Sequence, residues 1–392
     1  MIKWKGCRDM TKKIYITALH LAHGGVEMAI TGLSNALVKR GYQVEILCTY
    51  NLGEPAYALD ERVKVNYLTD VRPNREEFRR AVQEKNLPGI FREGLYAVRV
   101  LRLKKQVLKQ QFRRIQEGVI ISTRNEDSVL LSRYARKNVV KIAQLHHDHR
   151  FDRKLLRDFA RHYQNIDILT LLTDQLQQEV SEMMKDNRHT RCVTMPNFLP
   201  DAPAQTEAAT LENQAVAVGR LDPVKGFLRL ISLWKPIFEQ TGTVLKIIGG
   251  GNQRPELEEE ITRQGLEQGV ILTGSMDHDA VLAEMKKSVF YAMTSVSEGF
   301  PFVLIEAMSQ GTPVIAYDVR VGPRAIVVSG VNGFLIEDND EKAFAEKAVL
   351  LITDREKRAA MSQAARCRAG DFSEDAVMAK WETLINGGQS HG

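Results

Sequence analysis

Two glutamates eight positions apart are the residues best suited to chemistry. Glu298 and Glu306 lie in the segment SEGFPFVLIEAMSQGTPVIA, residues 297–316. Pro301 suits the first position of a helix, so FVLIEAMSQ is predicted to be helical and the three residues before Pro301 to form a loop. Free backbone N–H groups at such a helix start attract a diphosphate. Glu298 could then accept hydrogen bonds from sugar hydroxyls and Glu306 from a ribose, unless both acids only stabilise the helix start.

A pair of cations follows a predicted strand earlier in the same half of the chain. Arg220 and Lys225 lie five residues apart in VGRLDPVKGFLRLI, residues 218–231. Two cations beside a helix start can neutralise a diphosphate leaving group as its charge grows. The alternative is an ordinary surface pair.

Three histidines directly follow another predicted strand, in KIAQLHHDHR (141–150). They could form a metal cluster or a solvated loop. His146 and His147 point to opposite sides of an extended chain, which disfavours a shared metal. We therefore predict no metal site.

Arg124 ends a further strand, in ISTRNED (121–127). In a doubly wound sheet this position lies where ligands bind, so Arg124 could hold an anionic acceptor or a donor phosphate. A salt bridge with Glu126 or Asp127 would explain it equally well.

Alternating strand and helix patterns must position these residues. Short apolar runs separated by amphipathic segments indicate parallel sheets covered on both faces. Strands are predicted at 12–18, 41–49, 63–68, 118–123, 139–145 and 167–173, and again at 214–221, 244–250, 269–274, 289–295 and 312–319. We expect an α/β protein of two Rossmann-like, doubly wound domains facing a cleft. The predicted divisions are an N-terminal domain (1–198), a linker (199–212), a C-terminal domain (213–370) and a terminal helix (371–392).

The block from Glu298 to Glu306 resembles the E-x7-E signature of retaining glycosyltransferases of the GT-B fold, in the large family 4 group (glycosyl transferases group 1). In that family an arginine after a strand and a lysine five residues later grip the donor diphosphate, and by residue match these are Arg220 and Lys225. A histidine that ends an N-domain strand faces the reacting sugar, and His146 matches that place best. The resemblance implies donor binding by Gly25, Gly219, Arg220, Lys225, Gly250, Glu298, Gly299, Phe300, Pro301 and Glu306, and catalytic roles for His146, Glu298, Arg220 and Lys225.

The resemblance also implies domain roles and a reaction. The N-terminal domain would lie on the acceptor side, and the C-terminal domain would bind the nucleotide-sugar. A sugar would move with retention from a nucleotide diphosphate donor, taken to be a UDP-sugar, to a hydroxyl of a cell-envelope glycan, lipid or polymer acceptor. No cofactor or metal is expected, because the nucleotide-sugar is a substrate. The alternatives are a nucleotide-sugar epimerase of similar fold and a non-catalytic nucleotide-sugar-binding subunit. Replacing Arg220 or Lys225 by alanine should lower the rate with little change in melting temperature.

Composition limits the partners and the compartment. The net charge of +5 over 392 residues is too mild to indicate nucleic acid. The four scattered cysteines favour reduced thiols, and no apolar run approaches a membrane span, so we expect a cytoplasmic protein. The segment from Arg72 to Arg114 is basic and amphipathic, which suggests contact with an anionic membrane at its inner face or simply a solvated helix.

The terminal segment DFSEDAVMAKWETLIN (371–386) predicts a helix capped by Ser373. Val377, Trp381, Leu384 and Ile385 form one apolar stripe. In two-domain transferases of this type the helix packs back on the N-terminal domain. It could instead finish the second domain.

Overall fold

The computed structural model describes residues 12–150, 152–200 and 210–386. Its internal contacts divide the chain into two compact units. The first unit runs through Met195 and resumes at Met378, and the second runs from Pro196 to Val377. Most of the predicted linker, residues 201–209, lies outside the described residues.

The first unit is built on a parallel sheet. Its strands are β1 (Lys13–Ala18), β2 (Gln43–Tyr50), β3 (Lys64–Thr69), β4 (Val119–Ser122), β5 (Val140–Leu145), β6 (Ile168–Leu171) and β7 (Arg191–Thr194). Their order is β3-β2-β1-β4-β5-β6-β7, with every neighbouring pair parallel. Strands such as β4 (VIIS) and β6 (ILTL) are buried along their whole length, because helices cover both faces of a parallel sheet.

The helices of this unit connect successive strands. They are α1 (Gly25–Lys39), α2 (Arg75–Gln83), α3 (Leu87–Arg114), α4 (Asn125–Tyr134), α5 (Arg153–His162) and α6 (Asp174–Met183). Side-chain caps fix several starts: Asp152 accepts from the Leu155 amide at α5, and Thr173 accepts from the Leu176 amide at α6.

The second unit repeats the architecture. Its strands are β8 (Gln214–Val218), β9 (Val244–Ile248), β10 (Val270–Gly274), β11 (Tyr291–Met293), β12 (Val314–Tyr317) and β13 (Gly333–Ile336). Their order is β10-β9-β8-β11-β12-β13, again all parallel. In both sheets the direction of winding reverses between the first and fourth strands. Ligands of doubly wound sheets bind at this switch point, beyond the carboxyl ends of the strands.

Seven helices of the described residues pack around the second sheet. They are α7 (Phe227–Thr241), α8 (Arg254–Gln264), α9 (His278–Lys287), α10 (Phe302–Ser309), α11 (Gly322–Ile326), α12 (Glu341–Thr353) and α13 (Arg355–Gly370). A 3-10 turn at Pro223–Lys225 precedes α7. The core gathers apolar side chains of α7, α12 and the strands around the fully buried Trp234, whose indole N–H donates to the Thr243 carbonyl.

The last helix, α14 (Glu374–Asn386), begins in the second unit and belongs to the first from Met378. The Ser373 hydroxyl accepts a hydrogen bond from the Ala376 amide, which fixes its start. Asn386 donates to the Tyr42 hydroxyl at 2.9 Å in the first unit. The predicted stripe, including Trp381, is buried.

The doubly wound α/β fold predicted from the sequence is confirmed. All eleven predicted strands are present, shifted or shortened by a few residues. The strands β7 and β13, each at the edge of its sheet, were not predicted. Pro301 was predicted to occupy the first helical position. It instead precedes α10, which starts at Phe302.

Candidate functional site

In the second unit, the loop after β8 is held against the loop after β11. The Asp222 carboxylate accepts from the Val224 amide and so starts the 3-10 turn that carries Lys225. Gly226 follows at φ +68°, where a Cβ would collide with the Thr294 carbonyl. The Val296 amide donates to the Val224 carbonyl at 2.8 Å. The two loops are thus fixed to each other at the switch point of the sheet.

Lys225 and Glu298 meet across these two loops. The Lys225 ammonium donates to the Glu298 carboxylate at 2.7 Å, with the side chains 24% and 12% exposed. A Cβ added to Gly219 would lie 3.4 Å from the Lys225 methylenes, so the lysine stem runs past this glycine. The structure therefore brings together the predicted phosphate-binding lysine and the predicted sugar-binding glutamate. Each neutralises the other, so an anionic ligand must compete for the lysine.

Arg220 has a different environment. Its side chain is 76% exposed, and its Nε donates to the neighbouring Asp222 carboxylate at 2.5 Å. This contact leaves the outer guanidinium N–H groups directed to solvent. Arg220 could change rotamer to reach a ligand at little cost, since an exposed ion pair contributes little stability.

Glu306 lies in the second turn of α10 and is buried. Burial raises the pKa of its carboxyl group, an effect that the nearby charge of His278 partly opposes. The loop from Glu298 to Pro301 packs tightly on α11, where a Cβ on Gly322 would meet Pro301 Cδ at 2.7 Å. The Glu306 carboxylate and the backbone amides at the start of α10 are therefore held at fixed positions relative to each other.

The Phe300 side chain packs in the interior of the second unit. It is buried, with its ring edge-on to Phe372 at 5.5 Å and to Phe302 at 6.5 Å. Phe300 and Gly299 can therefore meet a ligand only through their backbone groups and loop position.

The glycine-rich turn after β9 touches the loop after β8 directly. Gly249 and Gly251 have φ of +148° and +155°, and a Cβ on either would collide with the carbonyl of Gly219 or Leu221. The Gly250 carbonyl accepts from the Leu221 amide at 2.9 Å. The predicted glycines thus bring two backbone segments into contact at the edge where Lys225 lies.

In the first unit, a carboxylate that sequence reasoning missed organises the switch point. Glu27 lies buried in the first turn of α1, directly after the Gly24–Gly25 turn. Its Oε1 is 3.6 Å from His20 Nδ1 and 3.6 Å from Arg124 Nη2. In the sequence, Glu27 is marked only as an acidic residue in the first turn of a helix. Such residues are too common to identify a functional site. A Cβ on Gly25 would meet no described atom within 4 Å, so the turn leaves space for a ligand.

Arg124 therefore pairs with Glu27 rather than with Glu126 or Asp127. Glu126 instead accepts from Lys104 of α3 at 3.1 Å. Arg124 occupies the position before α4, at the carboxyl end of β4, and its side chain is 37% exposed. It remains accessible to an anionic ligand.

The three histidines have three environments. Both ring nitrogens of His146 are shielded from solvent and have no hydrogen-bond partner among the described residues. Burial, with smaller effects from His147 and Arg124, lowers its pKa to about 4, so the imidazole is neutral at pH 7. His149 is buried and bonded to Glu179 at 2.8 Å, whereas His147 is exposed. Within the described residues no three His, Cys, Asp or Glu side chains are grouped to hold a metal ion.

Comparison with known proteins finds a family match for the second unit and relatives over most of the chain. Residues 200–368 match the family described as glycosyl transferases group 1. The amylovoran biosynthesis glycosyltransferase AmsD of Erwinia amylovora is 24% identical over 93% of this chain and 96% of its own length. An exopolysaccharide phosphotransferase of Streptomyces coelicolor is 27% identical over 92% of this chain, which spans only 39% of that protein.

A third relative comes from Campylobacter jejuni. It is a GalNAc-alpha-(1->4)-GalNAc-alpha-(1->3)-diNAcBac-PP-undecaprenol alpha-1,4-N-acetyl-D-galactosaminyltransferase, 26% identical over 95% of this chain and 98% of its own length.

Solved structures give the fold. Staphylococcus aureus TarM, in a complex that contains UDP, superposes with a TM-score of 0.73 at 15% identity, over 96% of this chain and all of that one. Anabaena HepE with UDP and glucose gives 0.70 at 18% identity and the same coverage. The two Rossmann-like units thus form a GT-B fold. The predicted resemblance to group 1 glycosyltransferases is confirmed, while retention and membership of family 4 stay predictions.

Proposed function

We propose that this chain, whose residues 200–368 are a glycosyl transferases group 1 domain, is a retaining glycosyltransferase that uses a UDP-sugar. One observation carries the proposal: the 2.7 Å Lys225–Glu298 pair at the switch point of the second sheet. A cation for the diphosphate and a carboxylate for sugar hydroxyls are the two groups that a nucleotide-sugar needs side by side. UDP is chosen because it is the nucleotide in both solved relatives compared above.

The donor is proposed to lie along the carboxyl edge of the second sheet. Its diphosphate takes the Lys225 ammonium from Glu298 and gains the free N–H groups of Arg220 and of the start of α10. The released Glu298 carboxylate accepts from sugar hydroxyls, and Glu306 from the ribose. The turn through Gly250 admits the nucleotide by its lack of side chains.

Transfer is proposed to proceed by front-face substitution. The bond between the anomeric carbon and the diphosphate oxygen breaks, and Lys225, Arg220 and the α10 dipole stabilise the negative charge that leaves. The acceptor oxygen bonds to the same face of that carbon and passes its proton to a phosphate oxygen. The neutral His146 imidazole binds a sugar hydroxyl. No metal is needed in this scheme, because side-chain cations and backbone amides neutralise the diphosphate.

The acceptor is proposed to be a hydroxyl of a cell-envelope glycan, either lipid-linked or polymeric. Two relatives support this class, since one is named for amylovoran biosynthesis and the other for a saccharide on PP-undecaprenol. Arg124 at the switch point of the first sheet is proposed to bind an acceptor phosphate. The reaction is proposed to take place in the cytoplasm.

Thermal shift of the full chain with UDP, GDP, ADP and CDP tests the donor. UDP should raise the melting temperature most, and Lys225→Ala should reduce the shift, while Lys342→Ala, an exposed lysine of α12, should leave it unchanged. The product of the matching UDP-sugar should keep the anomeric configuration of the donor by proton NMR. A chain that responds to none of the four nucleotides, or an inverted product, would refute the proposal.

A further inference from the structure

The two central strands of the second sheet, β8 and β11, pair over a shorter length than their neighbours do. Their registered pairing is confined to Tyr291 opposite Val216, whereas β8 pairs with β9 along all five of its residues. On the amino-terminal side of this pair the ladder is regular, because the Val216 amide donates to the Phe290 carbonyl at 3.2 Å. The ladder between β8 and β11 therefore ends before the carboxyl ends of the two strands.

The Tyr291 hydroxyl takes the place of ladder bonds at Val218. It accepts a hydrogen bond from the Val218 amide at 3.2 Å and donates to the Val218 carbonyl at 3.0 Å. Val218 lies two residues beyond Val216, so its amide and carbonyl also face β11, and a longer ladder would pair both with that strand. The phenol instead satisfies both backbone groups and keeps β11 from pairing with them.

The phenol is a fixed, neutral group beside the candidate site. The Tyr291 side chain is buried, and its own amide donates to the Pro313 carbonyl at 2.8 Å. Burial raises the pKa of the hydroxyl, the bond to Val218 opposes this, and the negative charges of Glu298 and Glu306 raise it further. The hydroxyl therefore keeps its proton at neutral pH and lies within electrostatic reach of both carboxylates.

The end of β8 is held from two sides. The Tyr291 hydroxyl binds Val218 on the side of β11, and on the other side the Gly219 amide donates to the Ile248 carbonyl of β9 at 3.0 Å. The next residue along the chain is Arg220. The course of the turn that leads to Arg220 is therefore set where β8 ends, and the phenol supplies one of the two supports.

The loop after β11 has a support of its own. The Arg229 guanidinium of α7 donates to the Thr294 carbonyl at 2.5 Å and to the Ser295 carbonyl at 2.7 Å. These bonds hold the backbone that leads to Glu298. The Tyr291 hydroxyl therefore acts on the turn after β8 rather than on the loop that carries Glu298.

We propose that Tyr291 is a positioning residue of the donor site, because its hydroxyl keeps the end of β8 apart from β11 and fixes the turn through Gly219 and Arg220. The inference rests on the proposed function, which places the donor diphosphate at this turn. Without the hydroxyl, Val218 can pair with β11, and the turn then moves toward that strand. A displacement of about 1 Å in a site of this kind costs about 100-fold in rate.

Titration calorimetry of the full chain with UDP, together with a transfer assay, tests the proposal. Tyr291→Phe removes the hydroxyl and keeps the ring in the core. It should bind UDP about tenfold more weakly, an effect of the size of one net hydrogen bond, and transfer sugar about 100-fold more slowly. UDP carries no sugar, so its affinity reports on the turn after β8 rather than on Glu298.

Two other tyrosines provide matched controls. Tyr317 is buried in β12 of the same sheet, and its hydroxyl has no hydrogen-bond partner among the described residues. Tyr317→Phe should therefore bind UDP and transfer sugar like wild type. The Tyr163 hydroxyl of the first unit donates to the Asn125 side chain at 3.0 Å. Tyr163→Phe should lower the melting temperature as Tyr291→Phe does but leave the affinity for UDP unchanged.

The controls define the outcomes that would overturn the inference. It fails if Tyr291→Phe binds UDP as tightly as Tyr317→Phe does. It also fails if Tyr163→Phe loses the same affinity, since the effect would then be a general loss of stability. A wild-type chain that does not bind UDP would refute the proposed function itself, whereas a wild-type chain that binds it beside an unaffected Tyr291→Phe would refute only the positioning role.

Restoring a donor at the same position separates the hydrogen bond from the packing of the ring. Replacing Tyr291 by 4-aminophenylalanine places an N–H group where the hydroxyl donates to the Val218 carbonyl. This variant should recover most of the affinity for UDP and most of the transfer rate. A variant that folds like wild type and still binds UDP as weakly as Tyr291→Phe would contradict a role for the hydrogen bond.

Discussion

Removing Lys225 should affect stability and catalysis together, whereas removing Arg220 should affect catalysis alone. The sequence predicts little change of melting temperature for either alanine variant. The structure separates them, because the Lys225–Glu298 pair is 2.7 Å long and mostly buried while Arg220 is 76% exposed. Lys225→Ala leaves the Glu298 carboxylate shielded and without its cation.

The expected size follows from that contact. A hydrogen bond to a charged group contributes about 1.5–3 kcal/mol, and in a domain of this size 1 kcal/mol corresponds to roughly 2–4 °C. Lys225→Ala should therefore lower the melting temperature by roughly 3–12 °C. Arg220→Ala should change the free energy of unfolding by no more than about 0.5 kcal/mol. Both should slow transfer about 100-fold or more, as expected for groups that stabilise a leaving diphosphate.

A double variant distinguishes a broken pair from a general packing defect. Lys225→Ala with Glu298→Gln removes the unpaired charge and should recover part of the lost stability, without recovering transfer. Scanning calorimetry should follow the transition that UDP shifts, beside a transfer assay. The reasoning fails if Lys225→Ala melts like wild type, or if the double variant is no more stable than the single one.

Three other predictions concern His146, Trp381 and the effect of removing metal ions. His146→Gln should make the stability of the fold less sensitive to acid. The pKa of His146 is about 4 in the folded protein and about 6.5 in the unfolded chain. As the pH falls below 6.5 the unfolded state therefore binds one more proton than the folded state, which lowers the free energy of unfolding. Wild type should then lose about 2 kcal/mol more than His146→Gln between pH 7 and pH 5 in urea unfolding, and equal losses would contradict the buried neutral imidazole. Trp381→Ala should cost about 3–5 kcal/mol by calorimetry, since this α14 side chain is buried, and a cost below 1 kcal/mol would mean that α14 is not firmly packed. Treatment with EDTA should leave transfer unchanged, and loss of activity restored by a divalent cation would refute the metal-free scheme.

The strands that could be predicted from the sequence are those buried on both faces. Their continuous apolar runs, such as VIIS in β4, separate clearly from the helical spacing around them. The two missed strands have only four residues and lie at sheet edges. The sequence of β7, RCVT, is half-exposed throughout, so no apolar run marks it. β13, GFLI, starts with a glycine and directly follows SGVN, a composition typical of a turn, so the sequence does not separate this strand from the loop before it.

Motif spacing singled out both partners of the Lys225–Glu298 pair in the second unit but missed Glu27 in the first. Glu298 lies in a dense block whose loop, helix and strand follow one another, and local sequence therefore defines it. The contact of Glu27 with Arg124 joins residues almost a hundred positions apart. It exists only because β1 and β4 are neighbours in the sheet, a pairing that local periodicity does not encode. The assigned roles of all these residues remain predictions.

Each of the two switch points carries one ion pair, and the positions of the cation and the carboxylate are reversed between them. In the second unit the cation, Lys225, follows the first strand and the carboxylate, Glu298, follows the fourth. In the first unit the carboxylate, Glu27, follows the first strand and the cation, Arg124, follows the fourth. Each pair joins the two loops that carry it. A phosphate at either point would exchange one ion pair for another, and the displaced carboxylate would then need a new donor, such as a hydroxyl of the ligand. The shorter Lys225 pair is the harder to open, and the 3.6 Å Arg124 pair offers its cation more readily.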